Sequence, residues 1–136
     1  MKKAAFAMIY VCLISVLSGC VQNNANPLDL PELSEIESVR MINADQTIHE
    51  TDLDRIAEFV KQAELSDLTD KESVQDVPNQ PEFIRLEFAL ASGDVTTLFL
   101  YQENDKWYIE QPYQRIYLAN DAFVKMVTDR VQEYVE

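Results

Sequence analysis

The first twenty residues limit, more than any other feature, what this chain can fold into. Lys2 and Lys3 precede an apolar run, residues 4–17, with the charge pattern and length of a secretory signal. The run is too short for a mature membrane span, because such a helix needs about 20 apolar residues. We predict that residues 1–19 are a signal peptide that is removed on export. The remainder is long enough for one small domain with one core.

A cysteine directly follows this run, preceded by Leu-Ser-Gly, which is the processing pattern of bacterial lipoproteins. We predict that Cys20 receives a lipid whose two acyl chains hold the protein at the extracytoplasmic face of the cell membrane. Residues 20–33 are polar, include two prolines and predict a flexible tether. Residues 34–136 then form a single domain. Because the other cysteine, Cys12, lies in the leader, we expect this domain to have no thiol and no disulfide bond.

The chain is strongly acidic, with 24 acidic and 11 basic residues and a net charge of −13. Lys2 and Lys3 belong to the leader, so the exported part is more acidic still. Anionic headgroups and nucleic acid phosphates repel such a surface, and we expect no nucleic acid partner. Solubility explains the charge; attraction of a basic partner or of divalent cations is the alternative. The chain has only 2 glycines, which excludes glycine-rich nucleotide-binding loops.

The first half of the domain predicts a β-hairpin and a helix. Ile36–Ile42 mixes β-branched and polar residues, and residues 47–49 resume an extended segment after a turn at residues 43–46. Thr51 supplies a capping hydroxyl for the helix that follows. The apolar stripe of this helix consists of Leu53, Ile56, Val60 and Ala63.

The second half predicts a three-stranded meander and a second helix. Residues 66–81 carry acids and two prolines without an apolar period, which predicts a loop. The meander strands are residues 83–91, 95–101 and Lys106–Glu110. Pro112 bends the chain away, and Asn120 caps a helix that runs to the end. We therefore predict an α+β domain of order β-β-α-β-β-β-α, in which an antiparallel sheet of about five strands packs against two helices.

Residues 107–117 read Trp-Tyr-Ile-Glu-Gln-Pro-Tyr-Gln-Arg-Ile-Tyr and resemble the signature of a small domain family of unknown function from Gram-positive lipoproteins. Residues 72–78 and 98–101 also resemble that family, and the similarity covers the whole predicted domain. The resemblance implies a membrane-anchored lipoprotein and brings no activity, cofactor or catalytic residue. Arg115 stands where the family pattern has glycine. Since a Cβ makes positive φ costly, either the turn avoids that conformation or its path differs.

The same segment, with Tyr101 across the turn, holds the densest group of aromatic residues. Strand alternation places Trp107 and Ile109 on one face of the sheet and Tyr108 on the other. The tyrosine rings either fill the core edge around the Pro112 bend or stack on a sugar or peptide ligand. The residues that we choose as a candidate binding surface are Tyr108, Gln111, Tyr113 and Gln114.

Patterns of catalytic and metal-binding residues are weak in this sequence. His49 is the single histidine, and no nucleophile accompanies it by motif. The acids of residues 67–76 lack the glycine and the ligand spacing of a calcium loop. No carboxylate pair, such as Glu87 with Glu110, stands out as a glycosidase pair. We therefore predict no metal, no cofactor and no enzymatic activity.

The sequence thus favours a non-enzymatic binding or accessory module, attached to the membrane through the lipid on Cys20, that serves a membrane-protein or cell-envelope partner. A sensor of wall glycan or peptide that uses the aromatic residues of segment 107–117 is the alternative. A hydrolase acting on the wall is disfavoured, because 24 acidic residues produce accidental carboxylate pairs in any fold.

Overall fold

The computed structural model describes residues 28–135, which form a mixed α+β fold. In chain order the elements are a 3-10 helix (Leu33–Glu35), β1 (Ile36–Ile42), β2 (Thr47–Glu50), α1 (Leu53–Glu64), β3 (Asp67–Glu72), β4 (Ile84–Leu90), β5 (Val95–Glu103), β6 (Lys106–Glu110), β7 (Arg115–Leu118) and α2 (Asp121–Gln132). Neither helix in this part of the chain is long and apolar enough to cross a membrane.

The strands form one antiparallel sheet in the order β2-β1-β4-β5-β6-β7-β3. The sheet therefore has seven strands where the sequence predicts about five, and the chain order is β-β-α-β-β-β-β-β-α. The hairpin β1-β2 and the meander β4-β5-β6 occur where they are predicted. β5 is the middle strand, and its residues 98–101 are all buried, as the prediction of a strand covered on both faces requires.

The two strands that the sequence analysis missed are β3 and β7. The sequence of β3 is Asp-Leu-Thr-Asp-Lys-Glu, which lacks apolar alternation because β3 is an exposed edge strand. It pairs with β7 near both ends, with Leu68 opposite Tyr117 and Glu72 opposite Arg115. The loop prediction for residues 66–81 is therefore wrong over β3 and correct beyond it.

A side chain caps the start of each α-helix. The cap of α1 is Asp52 rather than the predicted Thr51, and its carboxylate accepts hydrogen bonds from two N–H groups of the first turn. Asn120 caps α2 in the same way, as predicted. The predicted stripe of α1 is buried at three of its four positions, whereas Leu53 is exposed.

Both helices pack on one face of the sheet and form the core with it. The buried strand side chains of this face include Val39, Met41, Leu86, Phe88, Leu98, Leu100, Ile109 and Tyr117. Trp107 packs against the same core, on the face that strand alternation predicts. Burial of this many apolar side chains supplies the main driving force for folding.

The opposite face of the sheet is covered by chain without helix or strand. Since β3 is at one edge and β4 lies beyond β5, residues 73–83 must cross over β7, β6 and β5 to join them. We call residues 73–83 the crossing segment. Its last residue, Phe83, meets Phe99 edge to face, with ring centroids 5.2 Å apart. The side chains buried on this face include Phe99, Tyr101 and Glu110.

Glu50, at the end of β2, is a buried carboxylate whose two oxygens are both occupied. Its Oε1 accepts from the N–H groups of Thr51 and Asp52, at 3.1 and 3.0 Å. Its Oε2 accepts from Nη1 of Arg55 at 2.9 Å and from Nε of Arg130 at 3.0 Å. Arg55 belongs to α1 and Arg130 to α2, so one carboxylate joins the sheet to both helices.

The bend at Pro112 is present and leads straight into β7. The N–H of Gln111 donates to the carbonyl of Arg115, and the N–H of Gln114 donates to the carbonyl of Gln111, both at 3.0 Å. The residue with positive φ is Tyr113, at 57°. Arg115 is the first residue of β7, so the turn avoids positive φ at the position where the family pattern has glycine.

The last part of the predicted tether is attached to the domain. Leu28 is buried, and the N–H of Asp29 donates to Oε1 of Gln111 at 2.9 Å. Nε2 of Gln111 donates in return to the carbonyl of Asp29 at 2.8 Å. Residues 28–29 are thus part of the fold rather than of a free tether. The predicted signal peptide, Cys20 and the tether up to residue 27 lie outside the described residues.

Candidate functional site

A groove of about 710 Å³ lies at one end of the sheet. Four parts of the chain line it: the turn between β1 and β2, residues 80–83 of the crossing segment together with the start of β4, the end of β5, and the first part of β6. Its apolar and aromatic lining residues are Ile42, Phe83, Ile84, Leu100, Tyr101 and Trp107. A volume in this range, with an apolar lining and a few polar groups, is typical of a ligand site.

The β1-β2 turn forms a firmly held wall of the groove. Oδ1 of Asn43 accepts from the N–H groups of Asp45 and Gln46, at 3.0 and 2.9 Å, which closes the turn. The side chain of Gln46 donates to the carbonyl of Val131 in α2 at 2.8 Å. The turn is therefore fixed both within itself and to a helix.

The crossing segment forms a second wall of the groove. Nε2 of Gln80 donates to Oε1 of Glu103 at 3.1 Å, while Phe83 packs on Phe99. These contacts hold residues 80–83 against the end of β5. The groove is thus built on strands and on turns that have their own hydrogen bonds, which favours a preformed site.

The charged lining residues of the groove are Asp45, Glu82 and Arg85. Nε of Arg85 lies 3.2 Å from Oε1 of Glu87 but has no hydrogen-bond partner within the described residues. Glu87 also contacts Arg40 of β1, so two arginines share one carboxylate. Asp45 and Glu82 are exposed, and within residues 28–135 neither carboxylate forms an ion pair. The groove therefore presents two unpaired carboxylates and one arginine whose charge is only partly balanced.

A buried polar cluster lies beneath the crossing segment. The carboxylate of Glu110, 1 % exposed, accepts a hydrogen bond from the hydroxyl of Ser73 at 2.6 Å and another from the hydroxyl of Tyr101. Burial, and then the negative charge of Glu110, raise the pKa of Tyr101 well above its usual range. The cluster fastens the start of the crossing segment to β5 and β6, and it places Tyr101 next to the groove.

The raised pKa of Tyr101 predicts a loss of stability in alkali. Above the usual tyrosine pKa of 10.0 the unfolded chain releases this proton while the folded chain keeps it, so stability falls as pH rises. We expect Tyr101→Phe to lose less stability than the wild type between about pH 9 and about pH 11 in urea unfolding. Tyr134→Phe, at an exposed tyrosine, is the control. An equal alkaline loss in wild type and Tyr101→Phe would contradict the assignment.

The structure does not bring the four residues of the predicted binding surface together as one surface. Tyr113 and Gln114 are exposed on the β6-β7 turn, and the side chain of Tyr113 hydrogen-bonds Asp76 of the crossing segment. Tyr108 is half-buried, with its ring centroid 6.0 Å from that of Tyr101. Gln111 is buried and occupied by the main chain near residue 28, so it is a structural residue.

Lys71 of β3 contacts the ring of Tyr108. Its Nζ lies 4.9 Å from the centre of the Tyr108 ring, a cation–π contact, and 3.3 Å from Oε2 of Glu103.

Of the predicted aromatic segment, Trp107 is the residue that lines the groove. His49 is exposed on β2, away from the groove, in line with its interpretation as a surface residue.

The sequence contained only an indirect signal for the groove. Its lining comes from residues 42–45, 80–85, 100–102 and Trp107, which are brought together by the strand order rather than by sequence neighbourhood. The dense aromatic segment pointed to Trp107. Nothing in the local pattern marked the β1-β2 turn or residues 80–83.

Comparison with known proteins agrees with this fold. A solved structure, described as the NMR structure of a protein from Ruminococcus gnavus, is 28 % identical to this chain. The match covers 74 % of this chain and 99 % of that one, with a TM-score of 0.64. No curated protein matches the chain. The model of the family DUF5301, described as "Domain of unknown function (DUF5300)", matches residues 24–118, which include the aromatic segment and all lining residues of the groove. The chain therefore belongs to the DUF5301 family of domains of unknown function.

Proposed function

We propose that this protein is a non-enzymatic binding module, held at the outer face of the cell membrane by a lipid on Cys20, that receives a membrane-protein or cell-envelope partner in its groove. The observation that supports the proposal most is the groove itself, with an aromatic lining and fixed walls from four parts of the chain. A preformed concave site loses little conformational entropy on binding.

In-cell photo-crosslinking of the full-length protein tests this proposal. A crosslinking amino acid at Gln102, an exposed groove residue, is expected to give one dominant adduct with a membrane or envelope protein. The same group at Tyr113 tests the surface that the sequence favoured, and Glu37, exposed far from the groove, is the control position.

The pattern of adducts decides between the surfaces. Trp107→Ala should remove the adduct from Gln102, since it changes the groove lining, and Cys20→Ser should remove it by releasing the protein from the membrane. Equal adducts from Gln102 and Glu37 would contradict a role for the groove. A dominant adduct from Tyr113 alone would move the binding surface to the β6-β7 turn.

A sensor of wall glycan or peptide is the second candidate function. One observation favours it: Trp107, whose ring type commonly stacks on sugars in binding sites, lines the groove. Trp107 is the single tryptophan of the chain, so its fluorescence reports on the groove directly. Fluorescence unchanged at millimolar wall fragments would remove this candidate.

A further inference from the structure

We propose that the groove recognises a positively charged peptide segment, whose lysine or arginine side chain lies against Trp107 and pairs with Asp45 and Glu82. The inference rests on the proposed binding function and names the chemistry of the partner. It follows from three features of the groove: its unpaired charge, its aromatic residues, and its place relative to the N-terminal segment.

The first feature is charge complementarity. Asp45 on the β1-β2 turn and Glu82 on the crossing segment belong to two different walls of the groove, and neither is paired within residues 28–135. The basic lining residue, Arg85, shares the carboxylate of Glu87 with Arg40, so the lining acids outnumber the lining base by two to one. A cationic ligand therefore meets free carboxylates. An anionic ligand meets these carboxylates together with the −13 charge of the chain.

The second feature is the aromatic lining. Trp107, on the helix face of the sheet, supplies a ring that attracts a cation and covers the methylene stem of a long basic side chain, while Tyr101 and Phe83 lie on the opposite face at the same end of the sheet. The side chain of Gln102, exposed beside them, is free to bond a peptide group. Carboxylates also accept hydrogen bonds from sugar hydroxyls, but a lysine or arginine in addition balances their charge, which an uncharged sugar does not.

The third feature is position. Trp107 and Gln111 lie at opposite ends of β6, about 13 Å apart at the usual rise per residue. Gln111 binds Asp29, so the chain enters the domain at the end away from the groove. With the lipid on Cys20, the point of attachment and the groove are at opposite ends of β6. A partner that carries its basic segment above the membrane fits this arrangement, and a lipid headgroup does not.

Titration of residues 21–136 with trilysine, triglutamate and N-acetylchitotetraose, followed by Trp107 fluorescence, tests the inference. We expect trilysine alone to bind and Asp45→Asn with Glu82→Gln to weaken it about tenfold, which corresponds to two exposed ion pairs of about 0.7 kcal/mol each. Glu37→Gln with Glu64→Gln removes the same charge at exposed, unpaired positions outside the groove and is the matched control. All four substituted residues are exposed, so the unfolding midpoints of both double variants should equal that of the wild type.

Three results would overturn the inference. If both double variants weaken trilysine equally, the attraction is to overall charge and not to the groove. If N-acetylchitotetraose binds with the same affinity in all variants, the ligand is a glycan, and the proposed binding function stands. If no probe changes the fluorescence while the crosslinked adduct from Gln102 persists, the groove binds a partner without a basic segment. If none of the crosslinking positions gives a dominant adduct, the proposed function itself is contradicted.

Discussion

Replacing Glu50 with alanine is expected to lower the free energy of unfolding by about 1.5–3 kcal/mol, because it removes a buried charged acceptor that joins the sheet to both helices. Glu50 is 3 % exposed and accepts four hydrogen bonds, two of them from Arg55 and Arg130. Small domains have a total stability of only about 5–15 kcal/mol. The variant should therefore unfold at a much lower urea concentration, as measured by circular dichroism.

Glu133→Ala is the matched control for this prediction. Glu133 also pairs with Arg130, at 2.8 Å from Nη1, but its side chain is 62 % exposed. Exposed ion pairs contribute about 0.2–1 kcal/mol, so this variant should remain close to the wild type. Glu50→Gln keeps the shape of the side chain and one acceptor oxygen, so it separates the effect of the charge on stability from the effect of packing. If Glu50→Ala is no less stable than Glu133→Ala, the hydrogen bonds of the Glu50 carboxylate to both helices do not contribute to the free energy of unfolding.

Phe123→Ala is expected to cost about 3–5 kcal/mol, because the truncation leaves a cavity under α2 that the sheet cannot close. Phe123 is fully buried, in the first turn of α2, among the side chains that join the helix to the core. Urea unfolding followed by Trp107 fluorescence should show a lower midpoint with an unchanged slope.

Two further variants bracket this effect. Phe123→Leu retains most of the volume and should cost less than about 1.5 kcal/mol. Tyr134→Ala removes an aromatic ring that is 54 % exposed beyond the end of α2 and should change stability only slightly. A cost for Phe123→Ala as small as that for Tyr134→Ala would mean that α2 is not packed on the sheet as the structure describes.

The elements that the sequence predicted well are those with a strong local period. Three of the four stripe residues of α1 and the cap of α2 at Asn120 are confirmed, and β6 has the predicted bounds Lys106–Glu110. In each case local hydrogen bonding and burial on one face agree, so the pattern is readable without tertiary information. Thr51 and Asp52 show the limit: both are good caps one residue apart, and the pattern does not choose between them.

The missed elements depend on contacts that are distant in sequence. β3 is a strand because β7 is beside it, and no apolar alternation of its own marks it. Gln111 is buried because Asp29 lies opposite it, 82 residues earlier in the chain. The same reason hid the groove, since Asp45, Glu82 and Trp107 become neighbours only when the strand order is known.

The two hydrogen bonds between Asp29 and Gln111 also decide how mechanical load enters the domain. A pull on the chain ahead of Leu28 reaches the sheet first at this pair, which is far weaker than the ladders behind it. The pair should part before any strand unzips. Its release, together with the loss of the core contacts of Leu28 and Leu30, frees residues 28–32 and adds about 17 Å of extended chain. A pull on this end of the domain therefore lengthens the chain before it opens the sheet.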